Sequence, residues 1–230
     1  MKSFRDCMHF LAGFFGTKHN ELTDSVIKPD NDTVTDIDGN VYHTVAIGTQ
    51  VWMLEDLKTL RYRNGEAIPD VRDPTTWMDL ASGACYWYNR DATDRSAYKV
   101  LYNWYAVNDR RKIAPKGWHV PTDAEWTRLI EFLGGEEVAG GKLKEKGTSH
   151  WEDPNTGATN ETGFTAVPGG FYCIYGLDSA RSSGHWWTST EYDKNDARSR
   201  KMSWRESSVG IGKRGLHSKS LGKSVRCLRD

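Results

Sequence analysis

The residues predict a loop-rich domain of the α+β or β class, and three observations lead there. Aromatic side chains make up 12% of 230 residues alongside 22 glycines, so large rings must cover thin layers of structure while glycine supplies turns. Short runs of β-branched and aromatic residues are bounded by turn dipeptides, as antiparallel strands are. Only a few stretches carry the 3.6-residue apolar period of a helix.

Each element follows in order. Residues 1–16 place Lys2 and Arg5 ahead of a short apolar stretch, which resembles a secretion signal, yet Asp6 and His9 interrupt it and no small-x-small cleavage site follows. The other reading is a short amphipathic helix that docks on the domain, on another subunit or on a larger assembly. Residues 17–35 are polar, with Pro29 and several Asp, and read as a linker. Strand character begins at Val34: Asp38 and Gly39 signal a hairpin, residues 41–47 and 50–54 read as strands around Gly48 and Thr49, and Asn64 with Gly65 signals another tight turn. Asp30, Asp32, Asp36 and Asp38 are dense enough to suggest a calcium loop, but their spacing is wrong and no Glu closes it, so turn chemistry is expected.

Tyr98, Leu101, Tyr102 and Tyr105 fall at i, i+3, i+4 and i+7, which predicts a helix over 97–109 with an aromatic buried face. A second helix is predicted after Thr122, which forms a capping box with Glu125. Its apolar stripe is Trp126, Leu129, Ile130 and Leu133, and Gly134 and Gly135 end it. His119 and Glu125 invite an acid–base reading, but capping accounts for Glu125 and a single His without a partner is read as structural. Residues 151–163 read as a polar loop, 164–175 as a Gly-interrupted strand pair, 186–191 as a strand and 224–230 as a terminal strand.

The 31 basic and 31 acidic residues balance to zero net charge, which argues against nucleic-acid binding by bulk charge. The balance conceals an asymmetry. Residues 192–223 hold nine Lys or Arg and three Asp or Glu, leaving 22 basic against 28 acidic elsewhere. A nucleic-acid face on this segment is disfavoured, because it is rich in Ser and Gly, has one Trp and carries interspersed acids. Mean hydropathy is −0.69 and no apolar run approaches about 18 residues, so no membrane-spanning helix is expected. Cys7, Cys85, Cys173 and Cys227 show neither a CxxC pair nor zinc spacing, so no metal is expected and their redox state stays open.

Eight stretches then occur together: DIDGNVY at 36–42, LYNWYAV at 101–107, GWHVPTDAEW at 117–126, AGGKLKEKGTSHW at 139–151, NTGATNETGF at 155–164, VPGGF at 167–171, WWTSTE at 186–191 and SVRCLRD at 224–230. In this order they resemble the Fibrobacter succinogenes major paralogous domain, over about residues 34–230, with residues 1–33 as an N-terminal helix and linker extension. That family is similar to the formylglycine-generating-enzyme branch of the C-type lectin-like fold, where a Gly-x-Arg-Leu-Pro-Thr-x-x-Glu-Trp signature opens a helix. The resemblance implies an α+β architecture in which two helices brace a small twisted antiparallel sheet, with the terminal strand returning near the first.

The enzymatic branch requires a reactive cysteine pair near the end of the domain, since thiolates bind copper and activate oxygen. Only Cys173 and Cys227 stand in the last third, far apart in sequence, so no enzyme activity and no cofactor is expected. Where family members often carry Cys, this chain has Ala114, which leaves the partner of Cys227 open among Cys85, Cys173 and a free thiol. Calcium-dependent sugar binding wants a Glu-Pro-Asn-type loop, and residues 151–155 are only a distorted echo of one.

Inside 192–223, Ala197, Met202 and Val209 read as apolar anchors among otherwise idiosyncratic residues, and Met202 and Trp204 alternate with polar neighbours as in a half-buried strand. Relatives of this domain serve as variable proteins of diversity-generating retroelements, and the resemblance implies a paratope-like surface here. The expected ligand-binding residues are Tyr192, Lys194, Asn195, Arg198, Arg200, Ser203, Trp204, Arg205, Lys213, Arg214, His217, Lys219 and Lys223. Lys223 stands where a large apolar residue is common, which fits a varied position. The expected function is non-enzymatic recognition of a protein or glycan on a cell surface, in an extracellular, cell-surface or virion setting, with formylglycine-type oxidoreductase chemistry as the alternative. No nucleic-acid partner and no membrane insertion are expected, and residues 1–16 offer an oligomer or assembly contact.

Overall fold

The computed structural model describes residues 27–88, 99–211 and 217–230. The expectations for residues 1–16 and for Cys7 lie outside them. In chain order the strands are β1 (Ile27–Thr35), β2 (Val41–Ile47), β3 (Gln50–Met53), β4 (Cys85–Tyr88), β5 (Lys99–Tyr102), β6 (Trp118–His119), β7 (Phe171–Cys173), β8 (Gly176–Asp178), β9 (Ser183–Glu191), β10 (Ala197–Ser203), β11 (Val209–Ile211) and β12 (Leu228–Arg229). The helices are α1 (Pro74–Met78), α2 (Trp104–Val107), α3 (Asp123–Phe132) and α4 (Glu136–Leu143). The α+β class expected from the sequence is what the chain adopts.

The largest sheet runs β1-β2-β3-β12-β6, with antiparallel neighbours throughout. Its first hairpin turns where expected. Asp36 Oδ1 accepts from the amides of Asp38 and Asn40 at 2.9 and 3.0 Å, and Gly39 takes a φ of 82° that a side chain would resist. The acidic stretch is thus turn chemistry at Asp36, whose Oδ2 also accepts the Tyr42 hydroxyl at 2.6 Å. Residues 27–35, read from sequence as the end of a linker, are strand β1. They pair with β2 from Ile27 opposite Ile47 to Thr35 opposite Val41, across an irregularity between Asp30 and Thr33.

Of three cores among the described residues, two lie on opposite faces of the central strands and a smaller one gathers Trp77, Ala84, Leu101 and Tyr172. Consecutive residues of an extended chain point to opposite faces, so Trp186 of β9 enters the core under α3 and α4 while Trp187 enters the other. The same alternation divides Trp52 from Met53 and Leu228 from Cys227. The core under the helices centres on Trp126, whose ring lies 4.9 Å from Trp52, 5.9 Å from Phe164 and 6.4 Å from Trp186. These rings explain why the chain carries so many Trp: a small sheet covered on both faces needs large side chains to fill each layer.

Helix α3 follows its sequence signals. Thr122 Oγ1 accepts from the Glu125 amide at 3.2 Å, Glu125 Oε2 accepts from the Thr122 amide at 2.7 Å, and Trp126, Leu129 and Ile130 are buried. His119 Nε2 meets Glu125 Oε1 at 3.1 Å and its Nδ1 meets Asp230 Oδ1 at 2.8 Å, so the imidazole ties β6 to the helix start and to residue 230. Burial alone would raise the Glu125 carboxyl, but the Thr122 amide and hydroxyl together with His119 hold it below the usual range.

The helix expected over 97–109 is mostly not one. Residues 99–102 are β5, laddered to β4 from Cys85 opposite Tyr102 to Tyr88 opposite Lys99, and only Trp104–Val107 turn as α2. Asn103 decides the switch. Its Oδ1 accepts from the amides of Ala106 and Ala84, both at 3.0 Å, capping the helix and fastening the strand end at once. Leu101 and Tyr102 accordingly join different cores, and their helical spacing is coincidental. The strand pair expected within 164–175 is shifted to β7 and β8, and the terminal strand contracts to β12, while Ser224 bridges to Trp186 and Lys223 to Tyr102.

Helix α4 has no counterpart in the sequence reading. Gly140 and Gly141 sit in its middle, where glycine costs about 1 kcal/mol against alanine. Close approach is what they provide. A Cβ on Gly140 would lie 2.3 Å from Ser208 O, and one on Gly141 would lie 2.4 Å from Gly157 O. The Gly141 amide donates to Ser207 O at 2.8 Å across this contact. Gly140→Ala should therefore destabilise the fold by about 1–3 kcal/mol despite its better helix propensity. Urea midpoints test this, and a variant as stable as the parent would mean that the helix has room to move.

Candidate functional site

Strands β9, β10 and β11 form a sheet in the order β11-β10-β9, which carries residues 197–203 and 209–211 of the basic segment. Ala197, Met202 and Val209 are fully buried, so the three anchors expected from sequence do hold this segment. β9 and β10 pair from Ala197 opposite Glu191 to Ser203 opposite Ser183, with a register shift between Ala197 and Ser199. The hairpin therefore presents two ends, its tip at 192–196 and the turn after Ser203.

The tip is rigidly built. Asp193 Oδ1 accepts from the amides of Asn195 and Asp196, both at 2.8 Å, and these donors hold its carboxyl below the usual range. Beneath the tip lies the Lys219 ammonium, which donates to Glu191 Oε1 at 2.5 Å, Asp193 O at 2.7 Å and Lys194 O at 3.0 Å. Above these ties stand exposed side chains. Tyr192 is 61% exposed, with the Arg198 guanidinium 4.7 Å from its ring, and Lys194 and Asn195 are exposed beside it. His217 is half-buried, and its carbonyl accepts the Ala197 amide at 2.9 Å, which brings the later part of the segment to the same end.

The second end is separate. Ser203 and Trp204 are half-buried and Arg205 is exposed, with its guanidinium 4.5 Å from the Trp204 ring. The seven residues of β10 intervene, which at about 3.3 Å per residue place the two ends some 20 Å apart. The single patch expected from sequence is thus two.

Three expected ligand contacts are not at the surface. Arg200 is 2% exposed: its Nε donates to Asp123 Oδ1 at 2.9 Å, its Nη2 donates to Thr127 Oγ1 at 2.7 Å, and Glu136 lies 3.5 Å from Nη1. It fastens β10 to the first turns of α3 and α4, where acidic side chains already suit the helix dipoles. Lys219 is 4% exposed and serves as the staple under the tip. Lys223 is fully buried, donates to Ser199 Oγ at 2.8 Å, and has its ammonium 3.8 Å from the centre of the Trp187 ring. Burial pulls Lys223 well below the usual lysine range, so it does not stand as an exposed varied position. Lys213 and Arg214 lie outside the described residues. Much of the local positive charge is therefore consumed internally. Strand alternation is what hides Arg200, because it shares the face of β10 that Met202 turns into the core under α3 and α4.

Among the described residues, no group of three or more His, Cys, Asp and Glu could hold a metal ion, and no helix is long and apolar enough to cross a membrane. Cys85, Cys173 and Cys227 are free and buried, and burial pushes the Cys85 thiol up to about 12.

The model of the Fibrobacter succinogenes major domain family matches residues 45–229. The chain belongs to that family. No curated protein and no solved structure matches it. The match takes in β3 through β12, so this major domain includes both hairpin ends.

Proposed function

We propose that this major domain is a non-enzymatic recognition module that binds a protein or glycan on a cell surface, itself displayed in an extracellular, cell-surface or virion setting. Its ligand face is the β9–β10 tip, made by Tyr192, Lys194, Asn195 and Arg198. The observation that carries this reading is a 61%-exposed tyrosine held under a guanidinium on a turn already tied down from below. A rigid aromatic with adaptable polar neighbours is a low-entropy contact surface, and pre-organisation of the turn reduces the cost of binding. A C-type lectin-like arrangement fits this reading, since β12 returns to lie beside β3 while irregular loops carry the exposed residues.

The retroelement idea narrows accordingly. Diversification would act on Tyr192, Lys194, Asn195, Arg198 and Arg205, and spare Arg200, Lys219 and Lys223, whose partners are internal. A near-repeat of the segment's coding DNA beside a reverse transcriptase gene is the expected genomic sign, and absence of both would remove this part of the proposal. The formylglycine-type alternative gains no support from a Cys85 thiol pushed away from its thiolate form.

The test is capture of the full chain on a glycan array and on a displayed cell-surface protein library. Tyr192→Ala and Arg198→Ala should each weaken capture at least about tenfold, as hot-spot losses do, while Trp204→Ala leaves it unchanged. Retained capture in both tip variants, or equal loss from Trp204→Ala, would move the ligand face elsewhere.

A further inference from the structure

Residues 54–58, the start of β5, and the segments around Glu145, Val167 and Arg226 surround a partly open cavity of about 370 Å³. This is within the size range of small-molecule sites, about 300–1,000 Å³. Its lining alternates apolar side chains with ionisable ones, and the ionisable ones differ in how fully they are used.

The carboxylates already have partners. Glu55 accepts from the His43 amide at 2.8 Å and meets the His43 ring at 2.8 Å. Asp56 Oδ1 takes Arg226 Nε at 2.9 Å, Arg226 Nη2 at 2.8 Å and Trp186 Nε1 at 2.8 Å, while its Oδ2 is buried and accepts no hydrogen bond among the described residues. Glu145 meets His150 at 2.9 Å. The ammonium groups are less committed. Lys99 donates to Pro168 O and retains two further N–H groups, and Lys58 Nζ makes no hydrogen bond or ion pair among the described residues. Leu57 and Val100 are buried behind them, and Leu54 and Val167 are half-buried beside them.

We propose that this cavity binds a small organic carboxylate, its anionic group on the ammonium groups of Lys99 and Lys58 and its hydrocarbon body against Leu54, Leu57, Val100 and Val167. Spare donors of positive charge beside an apolar wall match an amphiphilic anion. A free amine would meet Glu55, Glu145 and Asp56 Oδ1 already paired and Asp56 Oδ2 buried away from solvent, and an inorganic anion would leave the apolar wall uncovered.

The charge state of Lys99 supplies a second reading of the same site. Burial pulls it down to about 8, with Asp56 and Glu145 opposing the shift and Arg226 and Lys58 reinforcing it. His150 stands on Glu145, and Tyr88 stands opposite Lys99 in the β4–β5 ladder. A bound carboxylate favours the protonated lysine, so affinity is full where the ligand is ionised and the lysine protonated, and falls as pH rises through about 8.

Calorimetric titration of the full chain with hexanoate, hexanol, hexylamine and inorganic phosphate tests the proposal. Hexanoate should bind saturably, each of the others at least tenfold more weakly, and hexanoate itself about tenfold more weakly at pH 9 than at pH 7. Lys99→Met should weaken hexanoate at least tenfold. Lys58→Met, a change at a side chain without internal partners, should weaken it several-fold in a protein that melts like the parent. Binding of hexylamine or phosphate as tight as hexanoate, absence of hexanoate binding, or unchanged affinity in Lys58→Met would each overturn it.

Discussion

Asp56→Ala is expected to lower the unfolding free energy by about 3–5 kcal/mol, the usual cost of stranding one member of a buried ion pair. Arg226 is fully enclosed, with its guanidinium 4.3 Å from the centre of the Phe164 ring, and Asp56 supplies its charge partner through two hydrogen bonds. Removing the carboxylate leaves a permanent cation without compensation, because arginine does not deprotonate in a protein interior. Trp186 Nε1 loses its acceptor in the same step. The double variant Asp56→Leu with Arg226→Met should recover a large share of the loss, since an apolar pair of similar volume carries no desolvation cost. Urea unfolding of the three proteins measures this. A single-variant loss under about 1 kcal/mol would show that water reaches Arg226 and that the pair is not buried in solution.

Lys144→Ala should cost a comparable amount, about 3–5 kcal/mol. Lys144 follows α4 and is fully buried, its Nζ donating to Thr156 O at 3.0 Å, Ser203 O at 2.9 Å and Glu206 O at 2.8 Å. Two segments distant in sequence thus converge on one ammonium, and burial pulls that lysine down to about 8. Its loss leaves three carbonyls without that donor and a gap where the stem packed near Trp151. Lys144→Met restores the stem without the donors and should recover less than half of the stability. Hydrogen exchange should quicken at residues 155–158 and 203–208 in both variants. A methionine variant as stable as the parent would reduce the ammonium's role to packing.

What was legible in the sequence was local. Asp36 and Gly39 announce their hairpin, and Thr122 with Glu125 announces α3, because in each case a few neighbouring residues satisfy one another's backbone groups. Helix α4 was illegible because Gly140 and Gly141 are there for what lies against them, the backbones of residues 208 and 157, and propensity is blind to such contacts. The reading of 97–109 failed for a related reason: Asn103 serves a strand end and a helix start together, and periodicity sees neither.

The candidate face was half legible. Tyr192, Lys194, Asn195 and Arg198 are where a loop on a strand framework should put them. Arg200, Lys219 and Lys223 read as surface because charge usually is, yet their partners are Asp123, Glu191 and Ser199, which no linear spacing connects to them. The cavity had no sequence signal at all. Its ammonium groups and apolar wall come from positions scattered between residues 54 and 226, each ordinary in its own neighbourhood.

Strand β12 has a consequence for how the molecule comes into being. Leu228 pairs with Trp52 on one side and His119 on the other, so the middle of the main sheet is completed by residues made long after both neighbours. Until position 228 has been synthesised, β3 and β6 each present an unpaired edge to other chains, and the tryptophans around them lack part of their cover. Closure of this sheet is a long-range event in chain separation, the kind that slows folding. Helper proteins that shield nascent strands would have their greatest effect on this chain during that interval.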